Sequence, residues 1–477
     1  MSTKNIEVHR HGILLLFSTI GVTGISFVST IFFARTVGAE ILGIYFLFLS
    51  YFGLITLFNE IGINYAGTVR ISEGKEIEEY YTASFFLRII LTTIIVILLL
   101  IFHNLLGNLN EMGIVWFLII VLFVSLVNAH IETGIAGGNR LGLMAFGRLL
   151  STIARSCVQV IAIILGYSIF GLLGGYISGF LVQILIEYRY LDFHLKRFSL
   201  IHIKSIFSYS IGASTTSFGN IIFESIGIIV IGYYMTITDV GIYGVCWGFS
   251  AFAIIVSSAL INTLFNKISY WKSQGDIDSI AKSFSRAYIY SLTVSIPIFF
   301  GGVILGKNLL QYIYSQEFIV GIVPLIILIA MRIFQSIQQI ICNILMAMDY
   351  VRMAFYVTFV MAIVNIILAF LFIPYFGLIG AALASLFAVA ISVIIAYYPI
   401  SRIIPVTIER KQIFFIMVSV ILMSSILLIS IHFITLTGAV PTITLIIIGA
   451  VIYFITLFSL DNQFQRDVKN TLKIKWI

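Results

Sequence analysis

Phe170-Gly171-Leu172-Leu173-Gly174-Gly175 opens one apolar run, and 206 residues later Phe376-Gly377-Leu378-Ile379-Gly380-Ala381 opens another. Small residues at such openings let helices approach closely. The nearly uncharged runs behind them have the length, roughly 20 residues, that a helix needs to cross a bilayer core. The rest of the chain has the same character: 60% of its 477 residues are apolar and 10% charged, against roughly 45–50% and 25% in soluble domains. A soluble fold of this length has no interior large enough for that apolar surface. Six prolines and 24 tyrosines, spread without low-complexity runs, exclude disordered and fibrous classes.

Reading outward from the two hexads predicts spans over 13–34, 41–65, 83–102, 113–135, 146–165 and 170–187, then 206–233, 240–265, 284–305, 318–342, 353–373 and 377–398, and finally 413–433 and 443–460. Backbone polar groups cannot go unpaired in lipid, so runs of this length must be helices, and the alternating pattern of a barrel strand is absent. The expected fold is an all-α polytopic membrane protein of about fourteen transmembrane helices. The 22-residue first run ends in Arg35 and Thr36, not at a small-residue cleavage site, so it is expected to be a span and not a signal peptide.

The charges orient the spans. With the N-terminus inside, 22 of the 27 Lys and Arg fall on the cytoplasmic side, Arg35 and Lys307 outside, and Arg88, Arg155 and Arg332 within spans. One missed span would invert every later loop, so this asymmetry also tests the count and places both termini in the cytoplasm. The net charge of +7 is therefore mostly topology. No basic stripe with stacking aromatics lies in a soluble module, which excludes nucleic acid as a partner.

The hexads belong to a longer self-similarity. Met144-Ala145-Phe146 recurs as Met353-Ala354-Phe355, and Leu42-Gly43-Ile44-Tyr45 as Val240-Gly241-Ile242-Tyr243, in the same order and at offsets of 198 to 209. Each match is six spans from its partner, an even number, so both halves enter the membrane the same way. Parallel repeats of this kind predict two parallel six-helix bundles around a central cavity, residues 1–199 and 200–402, with 403–477 forming a C-terminal helix pair and a cytoplasmic tail.

Embedded charge is costly, so it marks wet cavities or partners. Arg155, nine residues beyond Phe146, lies about 14 Å deep, and Arg332 lies fourteen residues into its span. Both are candidates for lining a functional cavity. Arg88, nearer the inner edge, is either a third or a snorkelling anchor. Glu60, beside Asn59, and Glu224, near Asn220, are candidate ion-pair or coupling-ion carboxylates; Glu132 and Glu187, near span ends, read as interfacial. Pro297 and Pro324 are expected to interrupt their spans. Cys157, Cys246 and Cys342 are isolated and read as small buried hydrophobes. His103, His130 and His432 stand alone. No HExxH, GxSxG, Walker A or clustered carboxylate pair occurs, so neither a metal, a cofactor nor an enzymatic activity is expected.

Ala34-Arg35-Thr36-Val37-Gly38-Ala39-Glu40-Ile41-Leu42-Gly43-Ile44-Tyr45 resembles a turn of the multidrug/oligosaccharidyl-lipid/polysaccharide exporter superfamily, and most closely that of its polysaccharide branch, the O-antigen flippases. The paired hexads and Val240-Gly241-Ile242-Tyr243 fit the same pattern, so the resemblance covers essentially the whole chain. It implies a flippase that carries undecaprenyl-diphosphate-linked oligosaccharide, a surface polysaccharide or lipopolysaccharide repeat unit, across the bacterial cytoplasmic membrane by alternating access, with a polysaccharide polymerase and chain-length regulator as partners. Arg155, Arg332 and Arg88, with Arg35 from the matching motif, have the sign to hold a diphosphate. If charge alone holds it, Arg332→Lys should be milder than Arg332→Ala. A lipid II flippase and a cation-coupled drug antiporter of the same superfamily are alternatives, as is a non-transporting scaffold for a glycosyltransferase complex.

Overall fold

The computed structural model describes residues 2–60, 62–107, 113–213, 215–405, 409–433 and 438–473. No strand occurs among them. The helices of four turns or so and longer, with the shorter α2, are α1 (Ser2–Glu60), α2 (Ile63–Ser72), α3 (Ile77–Ile101), α4 (Ile114–Gly137), α5 (Leu141–Ile164), α6 (Ser168–Tyr188), α7 (Leu200–Ala213) and α8 (Thr215–Tyr234). They continue with α9 (Ile237–Ser250), α10 (Ile255–Ser273), α11 (Ile277–Asn308), α12 (Ile322–Ala347), α13 (Val351–Ile403), α14 (Arg410–Phe433), α15 (Ala439–Leu460) and α16 (Asn462–Lys473).

Among the described residues, eleven helices are long and apolar enough to cross a membrane, and a shorter apolar one covers Phe218–Tyr234. This is an all-helical, multi-pass membrane protein. Two of the long helices bend inside: α1 at Gly38 (φ 77°, ψ −179°) and α13 at Gly377 (φ 56°, ψ −134°). A Cβ disfavours both conformations, so a glycine is what lets one continuous apolar segment supply two crossings. The run over 13–34 lies on the first arm of α1 and that over 41–65 on its second arm and the start of α2, while those over 353–373 and 377–398 lie on the arms of α13. The run over 206–233 is shared by α7 and α8, and that over 240–265 by α9 and α10. The repeated hexads differ in use: Gly377 bends its helix, whereas Gly171 is already helical and the chain reverses earlier, at Gly166 and Ser168 (φ 90° and 42°).

Helix α3 shows why these sequences settle in lipid. Ile90, Ile94, Ile97 and Ile101 are exposed on one side, while Ser84, Arg88 and Thr92, four residues apart, are buried on the other. The face toward the protein is the polar one, the reverse of a soluble amphipathic helix. Association between such helices draws on close packing and hydrogen bonds more than on water exclusion. Cys246 and Cys342 are buried as expected, but Cys157 is exposed, because it falls on the outward side of α5. Pro324 does not interrupt its helix: it occupies the first turn of α12, where its missing N–H is not needed, while Pro297 lies inside α11.

The chain packs as two compact units, Met1–Gly241 and Ile242–Ile477. In the first, α7 and α8 pack with α1 to α3; Ile206 of α7 joins Ile63, Ala66, Ala83 and Leu87 in one apolar cluster. Also within this unit, α1 and the start of α9 meet at two glycines. A Cβ on Gly43 would stand 1.9 Å from the Ile237 carbonyl oxygen, and one on Gly241 would stand 1.8 Å from that of Ala39. Ala39 and Ile237, like Gly43 and Gly241, are 198 residues apart, so this contact is its own image under the repeat. The connection between α6 and α7 is also pinned. Lys196 N–H donates to Thr82 Oγ1 (2.8 Å) and its ammonium meets Glu79 (3.0 Å). The hydrogen bond to Glu79 holds the Lys196 ammonium above its ordinary pKa.

In the second unit, α10 to α13 share a core around Ile280, Phe284, Ile341, Leu345, Ala354 and Ile400. The pair α14 and α15 docks on α11 through Leu292, Val420, Met423, Leu445 and Tyr453, and Tyr453 Oη donates to the Thr293 carbonyl (2.8 Å). Asp276 caps α11 by accepting from Ser279 N–H (3.0 Å) and Oγ–H (2.6 Å), and these bonds hold its carboxyl below the usual range.

Candidate functional site

The first unit carries its polar chemistry where a membrane helix is broken. α1 ends at Glu60, Gly62 takes a left-handed conformation (φ 72°), and α2 begins at Ile63. Asn59, Glu60 and Asn64 therefore flank a gap in helical hydrogen bonding, and α3 brings its polar stripe against them. Thr92 Oγ1 donates to Asn59 Oδ1 (2.7 Å) and Asn64 Nδ2 donates to Glu60 Oε2 (2.8 Å). Arg88 donates through Nη2 to Asn64 Oδ1 and to Thr133 Oγ1 of α4 (2.7 Å). Glu60 and Arg88 are thus brought together with Asn64 interposed, its amide facing the acid and its carbonyl the base. Arg88 is 2% exposed, which excludes a snorkelling role. Its Nε and Nη1 are buried with no hydrogen-bond partner among the described residues.

A second group lies beside it, built on Glu132, which precedes Thr133 on α4, and on the last turns of α6. Glu132 Oε1 accepts from Arg148 Nε (3.0 Å) and from Gln183 Nε2 (2.7 Å), and Gln183 Nε2 also donates to Glu187 Oε1 (2.9 Å). Glu187 was expected at the interface because it ends its apolar run, yet it is fully buried. Helix α6 is turned so that Gln183 and Glu187, four residues apart, face inward together.

Arg155 is half-buried on α5. Its Nη2 donates to Ser26 Oγ (3.2 Å), and its guanidinium lies 5.7 Å from the Tyr176 ring centre. Tyr176 packs edge-on against Phe48 and Phe52, and nearby Gln159 Nε2 donates to Tyr45 Oη (3.1 Å). In the second unit Arg332 is buried on α12. Its Nε donates to Ser250 Oγ (3.0 Å), its Nη1 to Gln335 Oε1 (2.6 Å), and its guanidinium carbon lies 4.3 Å from the Trp247 ring centre. Arg35, just before the Gly38 bend, and Glu224, on α8, are both exposed. Among the described residues, no group of three or more His, Cys, Asp or Glu could hold a metal ion.

The structure joins Glu60 with Arg88, while Arg155 and Arg332 each sit in a neighbourhood of their own. Asn64, Thr133 and Gln183 were not singled out in the sequence. Only the stripe Ser84, Arg88, Thr92 carried a legible signal, through its spacing of four. The second unit also holds an apolar cavity of about 300 Å³ lined by Pro297, Gly301, Met423, Leu427, Gly449 and Tyr453.

A family model described as polysaccharide biosynthesis protein matches residues 32–324. The chain belongs to this family. The match agrees with the polysaccharide branch that the sequence motifs resemble. The chain is 25% identical over 474 residues, 98% of its length and 99% of the relative's, to the probable low-salt glycan biosynthesis flippase Agl15 of Haloferax volcanii. Among solved structures it resembles the lipid II flippase MurJ in an inward closed conformation, with a TM-score of 0.75, 19% identity and coverage of 96% of this chain and 99% of the other. It also resembles an inward-facing multidrug resistance transporter of the MATE family, with a TM-score of 0.63, 16% identity and coverage of 82% and 98%. These two likenesses concern the fold. The full-length relative is described as a probable flippase, a transporter.

Proposed function

We propose that this protein is a flippase for a lipid-linked oligosaccharide, moving a polyprenyl-diphosphate-linked repeat unit of a surface glycan from the cytoplasmic to the outer leaflet by alternating access. Fourteen crossings with both termini in the cytoplasm carry it. The observation that supports this reading best is Arg332, buried within a span and held over the Trp247 ring by hydroxyl and amide acceptors, in a chain whose full-length relative is described as a probable glycan biosynthesis flippase. A fixed guanidinium at that depth suits a diphosphate, whose charge must be matched while its prenyl tail stays in lipid. Arg155 supplies a second such cation on the first unit, and Arg35 one near the outer edge. Arg88 is better suited to setting the charge of Glu60 than to meeting substrate. Glu60 is the coupling carboxylate in this reading, with Glu224 the second candidate.

The substrate in finer detail is an undecaprenyl-diphosphate-linked unit of the O-antigen kind in a bacterial cytoplasmic membrane, delivered to a polymerase and chain-length regulator. The test is deletion of the gene, with lipid-linked intermediates extracted and assigned to a leaflet. Complete repeat units accumulating on the inner side, with loss of surface polymer, are expected, and their mass identifies the lipid carrier. Accumulated peptidoglycan precursor would select the lipid II reading instead. Normal polymer with altered resistance to cationic compounds would select the antiporter.

A further inference from the structure

A basic cavity in the second unit takes no part in the sites above. It opens where α14 begins and α15 ends, so the limits of the two apolar runs 413–433 and 443–460 place it at the edge of the hydrocarbon layer. Its volume is about 640 Å³, and Arg286 of α11, Lys411 and Phe415 of α14 and Arg466 of α16 line it together with Glu409 and Asp461. No ion pair among the described residues takes up Arg286, Lys411 or Arg466. Asp461 is already committed: its Oδ1 accepts from the backbone N–H of Gln463 (2.8 Å) and Phe464 (3.1 Å), capping α16. Three cations and two carboxylates leave one positive charge in the ring.

We propose that this cavity binds a singly charged phosphodiester, the headgroup of an anionic phospholipid in the adjoining leaflet. Two guanidinium forks and one ammonium converge on it, the donor set that suits phosphate oxygens. One monoanion balances the ring. The chemistry is shared with free phosphate, but the position at the end of two spans and the apolar wall of Phe415 and Leu460 favour a ligand whose remainder lies in the bilayer. The adjoining space between Ile289, Leu457 and Phe464, which shares Arg286, Gln412 and Asp461 with the cavity, has a volume of only about 10 Å³. That is room for about one water molecule, so the acyl chains stay outside and the headgroup alone is recognised. With both termini in the cytoplasm, the leaflet is the inner one. The bound lipid would then pin α16 and the α14–α15 pair to the membrane surface.

The experiment uses the full chain, purified and delipidated, with bound lipid counted by native mass spectrometry against phosphatidylglycerol, phosphatidylcholine and inorganic phosphate. The wild type should retain phosphatidylglycerol in preference to phosphatidylcholine, and R286Q/K411Q/R466Q should weaken that retention on the order of a hundredfold, each cation near a membrane surface contributing about fivefold. Should the triple variant not elute as a monodisperse species, K411Q alone should show the fivefold step. Equal retention of the two lipids, or unchanged retention by the variants, would overturn the proposal. Displacement of phosphatidylglycerol by equimolar inorganic phosphate would overturn the lipid source and leave a soluble phosphate ligand. None of these readings depends on whether glycan is transported.

Discussion

Asn64 is the residue on which the polar interior of the first unit turns, since it satisfies Glu60 and Arg88 at once while keeping them apart. An amide can do this because it presents a donor and an acceptor on one rigid plane. Replacing it by leucine leaves the half-buried Glu60 without its amide donor and the buried Arg88 with Thr133 as its remaining partner. N64L should therefore lower stability by about 1–3 kcal/mol per lost partner, read as a fall in the thermal midpoint of the purified protein, whereas N64Q should recover part of the loss. No change in N64L would mean that water already serves both groups. At Arg332 the structure revises what charge alone suggests. A lysine keeps the charge but loses the fork to Ser250 and Gln335 and the stacking on Trp247. R332K should accordingly lie between wild type and R332A in surface glycan export, well short of wild type. Equal export by all three would remove Arg332 from the transport path.

The elements are built to bring backbones together. At Gly43 and Gly241 the extra methyl of alanine would sit under 2 Å from a carbonyl oxygen that belongs to another helix backbone. A backbone cannot swing aside as a flexible side chain can, so the helices must separate. G43A and G241A should each cost about 1–3 kcal/mol and lower the yield of folded protein. Because the two contacts mirror each other, the double variant should cost less than the two losses added together, as the first methyl already opens the crossing. The segment between α6 and α7 is a strap and not a free linker. Its ion pair from Lys196 to Glu79 raises the lysine's pKa, so with Glu79 ionised its contribution is fully present below about pH 10.4 and is lost as the pH rises through the raised value. The protection factor of the Lys196 amide should hold up to that window and fall above it, while E79Q should show low protection throughout.

At the scale of the whole molecule, the C-terminal pair is held to the second unit by one apolar cluster and by Tyr453 donating to the Thr293 carbonyl, a bond to backbone oxygen that an α-helix ordinarily keeps for itself. Y453F removes that bond and nothing else, and should cost about 0.6–2 kcal/mol, measured as easier proteolytic release of α14 and α15. The division into crossing helices was legible in the sequence, because a lipid solvent admits few alternatives: a run of some 20 apolar residues must be a helix, and the sidedness of Lys and Arg orders the runs. The repeat was legible for the same reason, its glycines marking where helices bend or touch. The embedded charges Glu60, Arg88, Arg155 and Arg332 stood out against an apolar background. Which of them meet was not written there. Asn64 between Glu60 and Arg88, Gln183 between Glu132 and Glu187, and Trp247 beneath Arg332 are residues of ordinary type at ordinary spacing. Their roles come from the rotation of each helix about its axis and the depth at which it packs. Composition does not encode those two quantities, and side-chain packing between helices distant in sequence decides them. The sequence alone therefore determined the solvent, the crossings and the cost of the embedded charges, and the tertiary structure decided how each charge is matched.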